Sequence, residues 1–250
     1  MKTLSMKSLV GALMLFSAPA LAGSTTSIPA FEARITAAKS PTSPGGTTIL
    51  RSEIRTALDE FLNDAGYGVD SAERAHLTTR LSDTQFQQSM TGTAAKYFAD
   101  FYEVNDTLLT GYPLNLYPVA QTPAVLFGAV GGLSGARIYE GYIPNGQGVA
   151  NQQTLGEAFS NAFGPQASIF EPISPRELVG QLSAYTYNVD EAEGAVAYIT
   201  QISRNSNRLY ITGWSCRGCG APGYTQGFAI AAVSTDRRFV RMMSVTTYAD

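Results

Sequence analysis

The amino-acid sequence predicts an α+β fold, in which an N-terminal helical bundle is followed by a C-terminal antiparallel β-meander. The first observation is that apolar residues recur at helical spacing between residues 50 and 106. The second is that short extended runs, separated by turn-forming residues, occupy much of residues 171–250. A chain of 250 residues that is 44% apolar and 15% charged can bury a core, which excludes general disorder.

Residues 1–22 have the pattern of a cleavable secretory signal peptide. Lys2 and Lys7 precede an apolar run over residues 9–16, and small residues follow up to the expected cleavage point. That apolar run is too short to span a bilayer. We therefore expect a mature chain that begins at about Gly23 and is exported to the periplasm or the extracellular space.

Composition divides the mature chain into four segments. Residues 23–49 include a Ser-, Thr-, Pro- and Gly-rich stretch without apolar periodicity, which predicts a flexible lead-in. Residues 50–106 form the predicted helical subdomain. Residues 107–170 are a low-charge, Gly- and Pro-rich connecting region, whose apolar run 124–136 is expected to be buried core. Residues 171–250 form the predicted antiparallel β subdomain with a Cys-x-x-Cys hairpin.

Amphipathic helices are predicted in the helical subdomain. Ser52 is the expected N-cap of the first, and Asp70 with Glu73 forms an acidic variant of the capping box at the start of the second. A third is indicated over residues 94–102. Further along, Ser174 is followed by proline and predicts the start of a short helix. The apolar face of the first helix consists of Ile54, Ala57, Leu58, Phe61 and Leu62.

Four extended segments predict the strands of the meander. Period-two alternation marks residues 196–202 and 209–212, and apolar or extended runs mark residues 228–233 and 239–248. Turn-forming residues at 235–237 separate the last two segments. Consecutive strands joined by such short turns pair in the antiparallel sense.

The charge of the chain limits its partners. The chain holds 17 basic and 20 acidic residues, a net charge of −3. Removal of the two leader lysines from the 17 leaves 15 basic residues and a net charge of −5. This acidic balance argues against nucleic acid and anionic membrane, which call for a clustered basic face. We expect another protein or a cell-envelope component as the partner, no transmembrane segment in the mature chain, and no cofactor.

Cys216 and Cys219 lie between two predicted strands and allow three interpretations. A redox pair needs its first cysteine at a helix N-terminus, whereas the residues that follow here lead into a strand. A metal site needs four ligands, but the chain has a single His, His76, far away in a predicted helix. In an oxidising compartment the favoured interpretation is a structural Cys216–Cys219 disulfide that stiffens the hairpin tip.

Residues 63–73 resemble an EF-hand calcium loop, because acidic residues lead to a Glu between two predicted helices. The side-chain ligands would be Asp64, Asp70 and Glu73, whereas a calcium loop supplies more oxygen ligands early and a Gly at its sixth position. Helix capping explains Asp70 and Glu73 without a metal. These three residues are calcium candidates in a chain for which we expect no metal.

Tyrosines in loop-like or strand-edge contexts offer contact area with a polar group. Core packing is the alternative explanation for each of them. These residues are Tyr112, Tyr117, Tyr139, Tyr142, Tyr185 and Tyr187.

Three classes of function follow from these features. The first is an exported, non-enzymatic binding or inhibitor-like module that presents the hairpin tip. Its expected contact residues are Trp214, Arg217 and Tyr224, because Trp, Tyr and Arg dominate interface hot spots. The alternative for Trp214 is that it packs inward at the base of the tip. The second is a periplasmic thiol–disulfide or hydrolytic enzyme; Ser134 lies in an approximate Gly-x-Ser-x-Gly pattern, but no His follows it. The third is a structural or surface-assembly protein, suggested by the low-charge residues 107–156.

The hairpin tip also resembles the protruding loop of periplasmic lysozyme inhibitors, since two cysteines close it before a Gly and a strand. The ring here is shorter, because Arg217 and Gly218 replace a longer stretch, and it contains no His. No residue role is therefore transferred. The binding module remains the leading hypothesis.

Overall fold

The computed structural model describes residues 24–63, 68–106, 113–186, 188–201, 208–218 and 223–249. Within them, helices fill the N-terminal part of the chain and an antiparallel sheet forms towards the C-terminus. This confirms the predicted α+β fold class. The helices are α1 Ser24–Ala38, α2 Arg51–Leu62, α3 Ser71–Ser82, α4 Thr84–Gln88, α5 Gly92–Asn105, α6 Pro123–Phe127, α7 Gln152–Phe163, α8 Pro175–Leu182 and α9 Val189–Thr200. The strands are β1 Tyr117–Pro118, β2 Arg137–Tyr142, β3 Gln166–Ala167, β4 Glu171–Ile173, β5 Arg208–Arg217, β6 Tyr224–Val233 and β7 Phe239–Ala249. No helix in these ranges is long and apolar enough to cross a membrane.

Helix α1 packs with α2 to α5 around one apolar core. Phe31 and Ile35 of α1 are buried in it, and Phe31 stacks on Phe61 with ring centroids 5.0 Å apart. The prediction of a flexible lead-in over residues 23–49 is therefore wrong for residues 24–38. The apolar face of α1 is narrow and its flanks are rich in Ser and Thr, so packing on the neighbouring helices stabilises it rather than its own propensity.

Capping defines the starts of α2 and α3. The Asp70 carboxylate accepts from backbone N–H groups of the first turn, and Glu73 accepts from the Asp70 N–H at 2.8 Å. This is the predicted capping box. The N-cap of α2 is Leu50 rather than the predicted Ser52, because the Glu53 carboxylate accepts from the Leu50 N–H at 2.8 Å and starts the helix earlier.

The strand order of the sheet is β1–β2–β7–β6–β5–β3, with β4 also paired to β5. Strands β5, β6 and β7 form an antiparallel meander, as predicted. The predicted connecting region 107–170 supplies β1, β2 and β3, and β2 pairs with β7 along its full length. The sheet therefore extends across the boundary expected near residue 170, because antiparallel pairing joins strands that are remote in sequence.

Helices cover both faces of the sheet. Helix α7 and the end of α5 pack on one face, here called the α7 side, and α8 and α9 pack on the other, the α8–α9 side. A strand buried on both faces needs a continuous apolar run, which accounts for residues 228–233 of β6. Alternate residues of this run contribute to the two sides: Ala229, Ala231 and Val233 to the α7 side, and Phe228, Ile230 and Ala232 to the α8–α9 side.

Residues 196–200 belong to α9, so the prediction of a strand over residues 196–202 is wrong for them. Asn188 caps this helix by accepting from the Glu191 N–H at 2.8 Å. Acidic residues in the first turn stabilise the helix further, because they interact with the positive end of its dipole. A short apolar run fits both the helical and the extended period, so this cap decides between them. The buried face of α9 consists of Ala192, Ala195, Val196 and Ile199.

The apolar run 124–136 is only partly buried, which corrects the prediction that all of it is core. Leu133 and Ala136 pack on the α8–α9 side, whereas Val125 and Val130 are 71% and 84% exposed. Helix α6 has five residues and ends at Gly128, whose φ of 89° turns the chain. The run therefore cannot present one continuous face to the core.

Arg237 connects the helical bundle to the sheet. It lies in the β6–β7 turn with a φ of 58°, in the left-handed region, and its side chain is 12% exposed. The guanidinium donates to the Asp106 carboxylate, to the Glu103 carbonyl oxygen and, at 2.8 Å, to the Ala150 carbonyl oxygen. This turn therefore joins the end of α5 to the segment that precedes α7.

Candidate functional site

The described end of the β5–β6 hairpin comprises residues 216–217 and 224–225 and is called the hairpin end below. Arg217 lies directly opposite Tyr224 across the two strands. In the described residues, the pairing of β3 and β7 stops before it reaches this pair. Arg217 is exposed and Tyr224 is 41% exposed. The structure therefore places two of the three predicted contact residues side by side on an accessible surface.

Trp214, the third predicted contact residue, is only 5% exposed and packs in the core on the α7 side. Its indole covers Gly227: a Cβ at Gly227 would lie 2.6 Å from the indole Cζ2 atom. The indole Nε1 is buried and has no hydrogen-bond partner among the described residues. The interpretation of Trp214 as a contact residue is therefore wrong. Strand alternation turns its side chain inward at the base of the hairpin.

The cysteine and histidine residues form no described metal centre. Cys219 lies outside the described residues, so the Cys216–Cys219 disulfide stays a prediction. Among the residues that the structure describes, no group of three or more His, Cys, Asp or Glu could hold a metal ion. His76 lies in the helical bundle, where its Nε2 is 2.7 Å from Glu32 Oε1 and its ring is nearly perpendicular to that of Phe31, with centroids 5.7 Å apart.

The calcium candidates take part in helix capping. Asp64 lies outside the described residues. Asp70 and Glu73 form the capping box of α3, and the fully buried Glu73 also accepts from the Ser27 hydroxyl of α1. Their carboxylates therefore tie α3 to its own first turn and to α1.

A cleft of about 690 Å³ opens at the base of the hairpin end and is called the hairpin cleft below. Gly213, Ser215, Gln226 and Phe228 form its floor on the α8–α9 side, since side chains alternate along a strand. Its walls come from the end of α2, the β3–β4 connection and the end of α8. The volume falls within the roughly 300–1,000 Å³ that small-molecule sites occupy.

Neutral polar side chains from five different parts of the chain line the hairpin cleft. Five of these residues are exposed. None of the five forms a side-chain hydrogen bond with another described residue, so their donors and acceptors are available to a ligand. These residues are Asn63, Ser168, Gln181, Ser215 and Gln226.

Tyr185 supplies an aromatic surface in the wall of the hairpin cleft. Its ring packs on Phe228 of the floor, with centroids 5.5 Å apart and an interplanar angle of 46°. The phenol remains exposed. Gly213 has no side chain beside this pair, so part of the floor is bare backbone.

The two charged residues in the described lining of the cleft pair with each other. Arg55 Nη2 is 3.2 Å from Glu171 Oε2. Burial raises the pKa of Asp59, and the nearby negative charge of Glu171 raises it further. Asp59, however, does not line the cleft. Glycoside hydrolysis usually requires two carboxylates that flank the bond, and the described lining of the cleft offers one, Glu171.

Some of these residues were predicted from the sequence and others were not. Tyr117, Tyr142 and Tyr185 are exposed, while Tyr112 and Tyr187 lie outside the described residues. Ser215 and Gln226 were not predicted, although they lie directly opposite each other on β5 and β6. Both residues lie outside the predicted strands 209–212 and 228–233, so the alternation of side chains in those strands did not point to them. Tyr139 is half-buried, and its ring packs on Phe163.

Comparisons with known proteins do not assign this fold and site to a family. No protein-family model, no curated protein and no solved structure matches the chain significantly. The protein is therefore described by its structure: an α+β fold with an exposed hairpin end and a polar cleft at the base of that end.

Proposed function

We propose that this protein is an exported binding module and that the hairpin end is its contact surface. The observation that carries the proposal is the exposed Arg217–Tyr224 pair, which lies beyond the described pairing of β3 and β7. Arg and Tyr are enriched among residues that dominate binding free energy. The partner is another protein or a protein component of the cell envelope.

Rigidity of the hairpin supports this surface. Both strands are held in antiparallel pairing, so little backbone freedom remains to be lost on binding. Trp214 packs into the core at the base of the hairpin and anchors it there. A Cys216–Cys219 disulfide would reduce the freedom of the tip further. Trp214 thus serves the surface indirectly.

Crosslinking at the hairpin end tests the proposal. A photoreactive residue at position 224 in the exported protein identifies the partner, and capture is then quantified for Arg217→Ala. We expect this variant to weaken capture by about 1–3 kcal/mol without a change in melting temperature. Arg176→Ala is the matched control, because Arg176 is exposed on α8 and does not line the hairpin end. Equal capture by Arg217→Ala and wild type would reject the surface.

Mass spectrometry tests export and the disulfide separately. We expect the unreduced exported protein to begin at or near Gly23 and to be lighter than the dithiol form by about two hydrogens. Retention of residues 1–22 would reject export by this route. An unreduced mass equal to that of the dithiol form would reject the disulfide. The proposed contact surface would then consist of Arg217 and Tyr224 without that constraint.

A further inference from the structure

We infer that the hairpin cleft binds an uncharged oligosaccharide. The inference goes beyond the proposed protein contact, because Arg217 and Tyr224 do not line the cleft. It rests on the convergence of neutral hydrogen-bonding side chains from separate elements on one exposed depression beside an aromatic ring. Each of these features matches one part of the chemistry of a sugar ring.

The amides of the cleft match vicinal hydroxyl groups. A carboxamide offers an acceptor oxygen and a donor NH₂ side by side, as do two neighbouring hydroxyls of a pyranose. Asn63, Gln181 and Gln226 supply three such groups, and all three are exposed. The hydroxyls of Ser168 and Ser215 can each donate once and accept as well. The cleft can therefore exchange donor and acceptor roles with several hydroxyls at once.

Tyr185 matches the apolar face of a sugar. A pyranose ring presents C–H groups on one face, and an aromatic ring is a flat apolar surface with a polar edge. Tyr185 already packs on Phe228 in the unbound protein, so part of its freedom is lost before a ligand packs on it. Gly213 leaves the floor low enough for a ring to approach the backbone.

The charges of the cleft favour an uncharged ligand. The guanidinium of Arg55 is held by Glu171, and the described lining contains no further Lys, Arg, Asp or Glu. An anionic ligand would have to compete with Glu171, and a cationic one with Arg55. An uncharged glycan avoids both costs, since its hydroxyls need hydrogen bonds rather than a counter-charge.

Titration with defined tetrasaccharides tests the inference. The full exported protein is titrated calorimetrically with chitotetraose, cellotetraose and maltotetraose up to about 10 mM, a range that detects weak sites. Tetragalacturonate is the anionic counterpart, and an uncharged Gly/Ser octapeptide is the peptide counterpart. We expect saturable binding of at least one neutral tetrasaccharide, with NMR shifts at the Gly213, Ser215 and Gln226 amides.

Variants locate the site. Gln226→Ala should weaken the binding by about five-fold, the value of a typical hydrogen bond. Gln147→Ala is the matched control, because Gln147 is exposed and does not line the cleft. Arg217→Ala should leave sugar binding unchanged, so failure of this inference and failure of the proposed protein contact are distinguishable.

Three results would overturn the inference. The first is that no neutral tetrasaccharide saturates the protein, and the second is that NMR shifts are confined to residues outside the cleft. The third is that tetragalacturonate or the octapeptide binds more tightly than the neutral tetrasaccharides. Tyr185→Ser gives a second reading, because loss of the aromatic face should weaken binding even where the hydrogen bonds remain. Its melting temperature is measured alongside, and Gln226→Ala decides the outcome if Tyr185→Ser unfolds.

Discussion

Replacement of Arg237 should lower the free energy of unfolding, because its side chain connects the helical bundle to the sheet. The guanidinium holds the Asp106 carboxylate and the carbonyl oxygens of Glu103 and Ala150, all at the end of α5 or just before α7. With 12% of the side chain exposed, solvent cannot replace these hydrogen bonds fully. Arg237→Ala leaves the Asp106 carboxylate without its cation, and breaking such a largely buried pair costs about 3–5 kcal/mol.

The backbone conformation of Arg237 separates Ala from Gly at this position. A residue with a Cβ pays about 1–2 kcal/mol at a left-handed φ, which Gly does not. The greater freedom of Gly in the unfolded chain offsets about 0.5–1 kcal/mol of this gain. Arg237→Gly should therefore be about 0.5–1 kcal/mol less destabilising than Arg237→Ala.

Urea denaturation measures both effects as changes in the free energy of unfolding. Arg176→Ala, on the exposed surface of α8, should stay within about 0.5 kcal/mol of wild type. Arg237→Ala combined with Asp106→Asn should cost less than the sum of the single changes, because each removes the same pair. A loss below about 1 kcal/mol for Arg237→Ala would refute the anchoring role. Greater stability of Arg237→Ala than of Arg237→Gly would refute the argument from φ.

Two further changes probe packing and burial. Gly132→Ala should lower the free energy of unfolding by about 3 kcal/mol, because its Cβ would lie 1.6 Å from the Tyr185 carbonyl oxygen. Gly135 has open space around it, so Gly135→Ala should stay within about 0.5 kcal/mol of wild type; thermal denaturation measures both. Similar losses for both would reject the close approach. Asp59→Asn should stabilise by about 0.5 kcal/mol at pH 7, since burial and Glu171 raise the pKa of a half-exposed carboxyl. A raised folded-state pKa means that stability is lost as pH rises above the ordinary value of 3.8, so the gain should vanish below about pH 4. A gain that persists at pH 3 would contradict this cause.

Local signals in the sequence predicted those elements whose start and apolar period agree. Asp70 and Glu73 predicted the start of α3, and Ser174 predicted the start of α8, because a cap acts through neighbouring backbone groups. The run 228–233 predicted a strand, because a short apolar run followed by turn-forming residues is also a local pattern. Helix α9 was missed because a short apolar run satisfies two periods.

The candidate site could be predicted only in part. Arg217 and Tyr224 follow from residue type and from their position at the end of a hairpin. The hairpin cleft does not, because Asn63 and Gln226 are 163 positions apart in the chain and meet only when α2 packs beside the sheet. No local pattern encodes that meeting.

The sequence alone determined the α+β class, the capped starts of α3 and α8, the meander and the low positive charge, since each depends on neighbouring residues or on composition. Tertiary structure decided that α1 belongs to the bundle, that Val125 and Val130 face outward, and that Trp214 is an internal anchor. Periodicity states which residues share a face of an element. Only the packing of other elements determines whether that face contacts the core, lines a cleft or is exposed to water.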